Sequence, residues 1–532
     1  MIRKKAGGAD EPASLFAVMY HEERKENRMI TLPQRFKERM KELLGEEYSA
    51  FEASYEQEKV QGLRFNSLKT KEGREDDWEE KGVKSLAEKT SQVLQMELTP
   101  VSWVKEGYYY PLEARPGKHP FHEAGLYYIQ EPSAMAVVEL LDPKPGENIL
   151  DLCAAPGGKS SHIASRLKGE GFLLSNEIHP GRAKILSQNM ERMGVGNCVV
   201  TNEDAGSLAK FFVQFFDRIA VDAPCSGEGM FRKEEEAVKQ WSEDHVKMCA
   251  ARQKEILEDA ASMLKPGGTM VYSTCTFAPE ENEGTILSFL QEHEDFYLEE
   301  RECPEGLMNA VPKWAFYGHE KTEKTEETEE IFTAIEQFHL ERAFRIMPHK
   351  TEGEGHFMAV LRRREDGGEF TGKRSQPSYI DPKKEKEVMK ELYRFLDETL
   401  IEPELLKKRE EYLRFGDQLY LLPPQMVSLK GLKVLRPGLH IGTVKKNRLE
   451  PSHAFALWLR PEQVKVWKEL APDSVDAVKY LKGETLNAAA DMSVPCEKGW
   501  VLICTGNLSL GWGKMAAGII KNHYPKGLRW MY

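Results

Sequence analysis

Cysteine is scarce in this 532-residue chain: eight residues, at positions 153, 198, 225, 249, 275, 303, 496 and 504. No two stand in C-x-x-C spacing, which excludes a zinc ribbon, and the density is too low for a disulfide framework. Reduced thiols are mostly small core side chains, so a reactive cysteine has to be argued individually. Long hydrophobic runs are missing too; none approaches the ~18 residues that a membrane span needs. The opening segment MIRKKAGGADEPASLFAVMY has an apolar stretch only over 15–20. Charge follows it, without a small-residue cleavage site, so it does not read as a signal peptide and a cytoplasmic protein is expected. Positive charge is in deficit, with a net −12, which excludes a uniformly basic surface. Distribution matters more than the sum. Residues 441–532 hold thirteen Lys/Arg against eight Asp/Glu, and the last 19 residues, from Lys514, hold four basic side chains and no acidic one. The C-terminus is therefore where phosphates can be met. There is no internal repeat, no metal is expected, and the chain is expected to act as a monomer.

The length calls for about three to four domains. Residues 1–28 are polar and aperiodic and read as a flexible extension, with Met29 an alternative start. A helix is expected after Pro33, carried by Phe36, Met40, Leu43 and Leu44 and ended by Gly45. A strand over 63–68 then completes a small N-terminal α/β module, 29–105. Over 106–365 the pattern becomes strands alternating with helices. The runs NILDLC (148–153), GFLLSNE (171–177), NCVVTNED (197–204), DRIAVDAPC (217–225) and GTMVYSTC (268–275) have near-continuous apolar cores, and 253–264 carries a helical stripe. This predicts an α/β domain with a doubly wound parallel sheet, completed by a strand at 355–363. An acidic insertion at 319–336 reads as exposed and mobile. Residues 366–440 are read as a linker (365–385) and a small α/β segment, with a helix over 382–400. Brief β runs in 441–532, such as GWVLICTGN (499–507), predict a small β-barrel.

The first strand of the core runs into Ala154-Ala155-Pro156-Gly157-Gly158-Lys159-Ser160 and a helix. In a doubly wound sheet that turn holds a nucleotide-like ligand, with glycines allowing close approach and the helix N-terminus offering N–H groups. A phosphate-binding loop would require glycine at position 153, where Cys153 stands, which counts against a nucleotide hydrolase. Two acids strengthen the site. Glu177 ends the second strand 20 residues after Gly157, a spacing that suits ribose hydroxyls, and Asp204 ends the third, where it can accept from an adenine amino group. Both are read as exposed strand-end acids on the binding edge.

The fourth strand ends in Asp222-Ala223-Pro224-Cys225-Ser226-Gly227 and the fifth in Ser273-Thr274-Cys275-Thr276, so both cysteines are expected on the same carboxyl edge. Amino-group methyltransferases place an aromatic residue after that proline; a thiol there points to methylation at carbon. Carbon 5 of cytosine is too weak a nucleophile to attack a methylsulfonium unaided. A thiolate added at carbon 6, with an acid supporting ring nitrogen 3, turns the ring into an enamine, and a base must afterwards remove the carbon-5 proton. Cys275, Cys225 and Asp222 can supply these roles, and the chemistry alone leaves open which cysteine is the nucleophile. A free thiol is mostly protonated at neutral pH, so local activation is needed, with Lys159 a contributor. Cys153, Cys198 and Cys249 are read as core thiols.

The segments DLCAAPGGKSSHIAS, DAPCSGEGMFRK and YSTCTFAPEENE resemble the signature motifs of the Nop/Sun family of RNA cytosine-5 methyltransferases, and within it the bacterial RsmF-type 16S rRNA methyltransferases. The likeness runs from about Leu32 to the C-terminus and includes IQEPSAM (129–135) and the ending NHYPKGLRW. It implies an S-adenosylmethionine-dependent enzyme acting on RNA, most directly 16S rRNA or the small ribosomal subunit. It also implies that Cys275 attacks carbon 6 and that Cys225 helps release the product, whereas DNA cytosine methyltransferases use the cysteine of the Pro-Cys dipeptide. Cys153, Ala154, Ala155, Pro156, Gly157, Gly158, Lys159, Glu177, Asp204 and Asp222 would line the cofactor site. The family further implies a PUA-like RNA-binding domain at 441–532. There Trp512, Tyr524 and Trp530 alternate with Lys514, Lys521, Lys526 and Arg529, a pattern suited to stacking and phosphate contacts or equally to a barrel core. A non-catalytic ribosome-assembly factor would keep the barrel but would not need two strand-end cysteines beside a cofactor loop.

Overall fold

The computed structural model of the chain describes residues 31–70, 80–317, 333–365, 375, 377–488 and 492–531. The extension 1–28, most of the acidic insertion 319–336 and part of the linker 365–385 lie outside the described residues. The first described helix, α1 (Gln34–Leu44), buries Phe36 and Met40 one turn apart and ends at Gly45, whose φ of 54° suits glycine. Phe36 packs on Phe51, Phe231 and Phe277, so this helix is built onto the two cysteine-bearing segments rather than standing apart. The strands β1 (Gly62–Phe65), β2 (Thr99–Pro100), β3 (Gly107–Tyr109) and β4 (Tyr127–Ile129) form one sheet in the order β2-β3-β1-β4. The sheet that opens at β1 thus takes two of its strands from beyond residue 105.

The central sheet supplies the site. After α2 (Pro132–Leu141) the chain alternates β5 (Asn148–Asp151), α3 (Gly158–Arg166), β6 (Phe172–Asn176), α4 (Pro180–Arg192), β7 (Cys198–Thr201), β8 (Phe216–Asp222), α5 (Glu243–Met263) and β9 (Leu264–Thr274). β5, β6, β7, β8 and β9 are parallel, in the order β7-β6-β5-β8-β9. Successive residues go to opposite faces. Leu150, Leu174, Val199, Ile219 and Met270 join one buried cluster, while Ile149, Leu173, Val200, Ala220 and Val271 join the other. Both faces are covered, which is why these strands read as continuous apolar runs. After α6 (Glu283–Glu292) come β10 (Phe296–Leu298), β11 (Met308–Asn309), β12 (Phe344–Ile346) and β13 (His356–Arg363). β13 lies antiparallel beside β9, and Val434–Arg436 lies antiparallel beside β7 at the opposite edge. The expected parallel doubly wound sheet is therefore the middle of a mixed one. Strand order reverses between β5 and β8, and the crevice above that switch point is where such sheets bind ligands.

The expected helix over 382–400 is present as Lys386–Thr399, with Val388, Leu392, Phe395 and Leu396 buried along one stripe. A four-stranded antiparallel sheet spans residues 412–451, and a five-stranded curled sheet spans 467–522. Ile503 and Leu510 of the latter, with Tyr480 of the helix Val475–Lys482, share one apolar cluster with Leu63, Phe65 and Tyr127 of the N-terminal sheet. The two ends of the chain thus bury each other. Trp512 and Tyr524 are each only 2% exposed. Trp512 packs on Phe395 and Phe455 and donates to the Ser452 carbonyl. Tyr524 packs on Tyr480 and donates to Glu123. Of the two readings open for these rings, stacking on RNA and a barrel core, their packing matches the core. The Trp530 ring, half-buried, donates to the same Glu123 carboxylate.

Candidate active site

The turn after β5 is shaped by its glycines and braced from α4. Gly157 has φ 114°, a conformation that L side chains rarely adopt. Arg182 donates to the Ala155 carbonyl and Asn189 to the Pro156 carbonyl, both at 2.8 Å. Gly158 then opens α3, whose first N–H groups have no partner within the helix. Beneath the turn Ser160 donates to Asp151 Oδ2 at 2.6 Å, while Asp151 Oδ1 is buried without a partner. Burial pushes the Asp151 carboxyl up to about 7.

Glu177 stands at the end of β6, but not as the exposed acid expected: it is 2% exposed. The chain folds back so that Oε1 accepts the His179 N–H at 2.9 Å, and Arg182 lies 3.4 Å from Oε2. The next residue, Ile178, is 59% exposed, an apolar face beside a buried carboxylate that sequence reasoning had no means to single out. Asp204 is exposed, as expected. Both of its oxygens engage Ser207, capping the short helix Ala205–Ala209, and these bonds hold its carboxyl below the usual range.

Asp222, at the end of β8, accepts from Lys159 Nζ at 2.7 Å and from Ser273 Oγ at 2.9 Å. Burial works against both charges, yet each stabilises the other: the carboxyl is held below its ordinary value and the ammonium above. Cys225 and Cys275 follow β8 and β9, and their sulfurs lie 3.2 Å apart, sharing a hydrogen bond. That shared bond and then burial push the Cys225 thiol well above the ordinary thiol range. Cys275 also lies within electrostatic reach of Lys159. Cys153 is half-buried, packs against the core and is likewise pushed up by burial. Cys198 and Cys249 are buried.

Residues that sequence reasoning passed over close the site. His356 begins β13; because Phe357 pairs with Thr274, His356 stands one step further along, opposite Cys275. It is 4% exposed and its Nε2 has no hydrogen-bond partner. Burial and the nearby Lys159 ammonium push it down to about 4, so it is neutral. Glu131, within the quoted IQEPSAM, accepts the N–H groups of Ala134 and Glu354. A cluster of metal-ligand type among the described residues, Glu106, Glu139 and His162, already holds a cation, because Arg166 pairs with both carboxylates.

Comparison with known proteins decides the family. The family described as 16S rRNA methyltransferase RsmB/F matches residues 138–362, and the N-terminal domain of 16S rRNA methyltransferase RsmF matches 32–132. The RsmF rRNA methyltransferase first C-terminal domain matches 394–459, and the methyltransferase RsmF PUA domain matches 468–530. A ribosomal RNA small subunit methyltransferase F from Vibrio vulnificus is 30% identical over 439 residues, covering 81% of this chain and 85% of the relative. The protein of that name from Vibrio campbellii is 29% identical over 522 residues, covering 94% and 98%. The chain belongs to the RsmF branch of the RsmB/F methyltransferase family. A solved structure, a methyltransferase homologue from Pyrococcus horikoshii, matches with a TM-score of 0.50 and 29% identity, covering 63% of this chain and 96% of its own. The central sheet is therefore a Rossmann-like methyltransferase core, and the curled sheet over 467–522 lies in the PUA domain. Among the described residues no helix is long and apolar enough to cross a membrane.

The crevice fits the cofactor of such a family. The donor set offers a buried carboxylate at Glu177 for a pair of hydroxyls, the exposed apolar face of Ile178 for a flat ring, and the orphaned Asp151 Oδ1 as an acceptor. Gly157, Gly158 and the start of α3 allow backbone approach. Cys153 through Lys159, Glu177, Asp204 and Asp222 lie at or just beyond the carboxyl ends of β5, β6, β7 and β8.

Proposed function

We propose that this protein is an RNA (cytosine-5-)-methyltransferase that modifies 16S rRNA through a covalent adduct between Cys275 and carbon 6 of the target base. The observation that carries the reading is the pair of sulfurs 3.2 Å apart beside the Lys159–Asp222 ion pair. S-adenosylmethionine, when bound, supplies an electrophilic methyl group; Cys153 to Lys159, Glu177, Asp204 and Asp222 hold it. Cys275 forms the S–C6 bond, and the proton it gives up is taken on ring nitrogen 3, where the Asp222 carboxylate accepts it as a hydrogen bond. Carbon 5, now enamine-like, takes the methyl group. A base then removes the carbon-5 proton, the C5–C6 double bond re-forms, the sulfur leaves, and the proton on ring nitrogen 3 is given back to it, restoring the neutral base and the Cys275 thiol.

Cys225 fits the role of that base because of its neighbour. The strongest influence raising its thiol is Cys275. Once the Cys275 sulfur is bonded to carbon, it is a thioether and a poor partner for the Cys225 thiol, and that influence weakens. Cys225 thus becomes more acidic at the step that needs it. In the free protein the same influence keeps Cys225 protonated, leaving Cys275, near Lys159, as the nucleophile. Bisulfite sequencing of RNA from cells lacking the protein tests the substrate: 16S rRNA loses one or a few 5-methylcytosines, and an unchanged map overturns the reading.

The cofactor assignment has its own test. Glu177→Ala weakens S-adenosylmethionine binding by about 10- to 100-fold, the loss of one or two charge-assisted hydrogen bonds. Calorimetric titration with unchanged affinity would overturn it. Because Glu177 also accepts the His179 N–H, a drop of about 1 kcal/mol in stability accompanies the variant.

The domain reading is an N-terminal RNA-contacting module, the catalytic core, a connecting α/β segment and a PUA-like RNA-binding domain. The target base must leave its stack, at a cost of a few kcal/mol, which phosphate contacts elsewhere offset. Lys521 and Lys526 are exposed, and Lys514 lies over the Trp500 ring at 4.9 Å. Replacing all three by glutamine lowers RNA affinity and reduces the slope of log affinity against log salt by about 2 to 3, given roughly 0.7–0.9 per lost phosphate contact. Equal slopes in filter binding would place the phosphate contacts elsewhere. Substitution is cleaner than removing 441–532, which would strip the N-terminal sheet of its apolar partner.

A further inference from the structure

The short turn that follows Cys275 places two consecutive polar residues, Glu281 and Asn282, each 0% exposed, behind the two cysteines. Asn282 reaches the Cys275 loop. Its Oδ1 accepts from Thr274 Oγ1 at 2.6 Å, and its Nδ2 donates to the Thr276 carbonyl at 2.9 Å, so one side chain holds the residues on either side of Cys275. Glu281 reaches the Cys225 loop. Its Oε2 accepts the Ser226 N–H at 3.0 Å and the Gln253 amide at 2.8 Å, and the same amide donates to the Pro224 carbonyl at 3.0 Å. The peptide groups before and after Cys225 are therefore held by Glu281 and Gln253 together. The Tyr272 hydroxyl, 2.6 Å from the Glu281 carbonyl and 2.9 Å from Gln253 Oε1, fixes this pair from below. The loops also meet directly, through the Cys225–Cys275 sulfur contact at 3.2 Å, the Ser226–Thr276 hydroxyl contact at 2.8 Å, the bond from Gly229 N–H to the Cys275 carbonyl at 2.9 Å and the bond from Phe277 N–H to the Glu228 carboxylate at 3.2 Å.

We infer that Glu281 and Asn282 are positioning residues that divide the reaction between them, Asn282 holding Cys275 for addition to the base and Glu281 holding Cys225 for release of the product. This rests on the covalent reading above. Two thiols serving one ring carbon bond and its neighbouring proton must be aimed independently to a fraction of an ångström, and the turn gives each its own brace from adjacent positions in the chain. Burial and the neighbouring Glu228 carboxylate push the Glu281 carboxyl up to about 8. Cys225, Cys249 and Tyr272 are the other titratable groups close by, and each is also pushed up. Glutamine is thus the conservative replacement: its carbonyl can accept both bonds that Glu281 Oε2 accepts.

Single-turnover reactions with labelled S-adenosylmethionine and substrate RNA, resolved by denaturing electrophoresis, test the division. Glu281→Ala transfers the methyl group but accumulates a denaturant-stable protein–RNA adduct, with turnover lowered by about 100-fold and KM for RNA unchanged. Gln253→Met, which removes the bond to the Pro224 carbonyl, does the same, so the outcome does not depend on Glu281→Ala folding. Glu281→Gln turns over within about threefold of the parent, a rescue expected from one carbonyl accepting both bonds. Asn282→Ala shows the opposite pattern, slow first-turnover methylation and little adduct. Cys225→Ala is the control. If it traps an adduct while Glu281→Ala and Gln253→Met, folded by thermal melting, do not, the division is wrong and the covalent reading stands. If Cys225→Ala traps nothing, the covalent reading falls and this inference with it.

Discussion

Replacing Cys275 by alanine abolishes methylation, by a factor on the order of 10⁴ or more, and leaves no covalent protein–RNA species. The magnitude follows from the chemistry: without sulfur at carbon 6, carbon 5 stays aromatic and cannot attack the methyl group at a useful rate. The loss must not come from a damaged fold or an empty cofactor site. Cys275 is half-buried at a strand end, and trimming its sulfur falls within the about 1 kcal/mol typical of single substitutions. The Lys159–Asp222 pair, held on its other side by Ser273, stays in place. S-adenosylmethionine affinity should accordingly remain within about threefold of the parent by calorimetric titration, while tritium transfer to RNA disappears. Activity within about tenfold of the parent would sink the covalent route altogether.

How far the site was legible follows from where its determinants lie along the chain. The strand ends could be read because both faces of the central sheet are buried, so each strand has a near-continuous apolar core that gives way to polar residues at its end: Asp222 closes β8, and Ser273 and Thr274 close β9 just before Cys275. The turn from Cys153 to Lys159 was legible for the same reason, since only glycine tolerates the φ of Gly157. Glu177 was misread as exposed because its burial comes from a local fold-back, the His179 N–H and Arg182 closing over it, which leaves no periodic trace. The aromatic tail was ambiguous for a different reason. Rings alternating with lysines look the same whether they stack on bases or fill a barrel, and only the packing of Trp512 on Phe395 and Phe455 and of Tyr524 on Tyr480 tells them apart. Glu123 and Tyr524 are 401 residues apart in the chain yet share a hydrogen bond. No pattern within either segment could reveal that the two ends share a core. Glu281 and Asn282 sat inside a quoted motif, but a run of PEENE reads as solvated charge until the burial of its middle is seen.

Cys225→Ala separates the two thiols most sharply. Addition at carbon 6 and methyl transfer need Cys275, Lys159 and Asp222, none of which the substitution removes. Elimination needs a base for the carbon-5 proton, and among the described residues the titratable side chain in contact with Cys275 is Cys225, at 3.2 Å. His356, pushed down to about 4 by burial and Lys159, is too weak a base, and Asp222 is held below its ordinary range by Lys159; neither replaces the thiol. The variant should therefore stall after methyl transfer. A denaturant-resistant protein–RNA band builds up to near one equivalent, carries the labelled methyl group, and is absent from Cys225→Ala combined with Cys275→Ala. Turnover falls by about 10²- to 10⁴-fold, the range for removing a general base, whereas the first methyl transfer proceeds near the parental rate. A burst of one methyl group per protein followed by a flat phase is the kinetic signature. If the band forms instead in Cys275→Ala and vanishes in Cys225→Ala, the nucleophile is the cysteine of the Pro-Cys dipeptide, as in the DNA enzymes, and the roles argued from the raised Cys225 thiol are reversed.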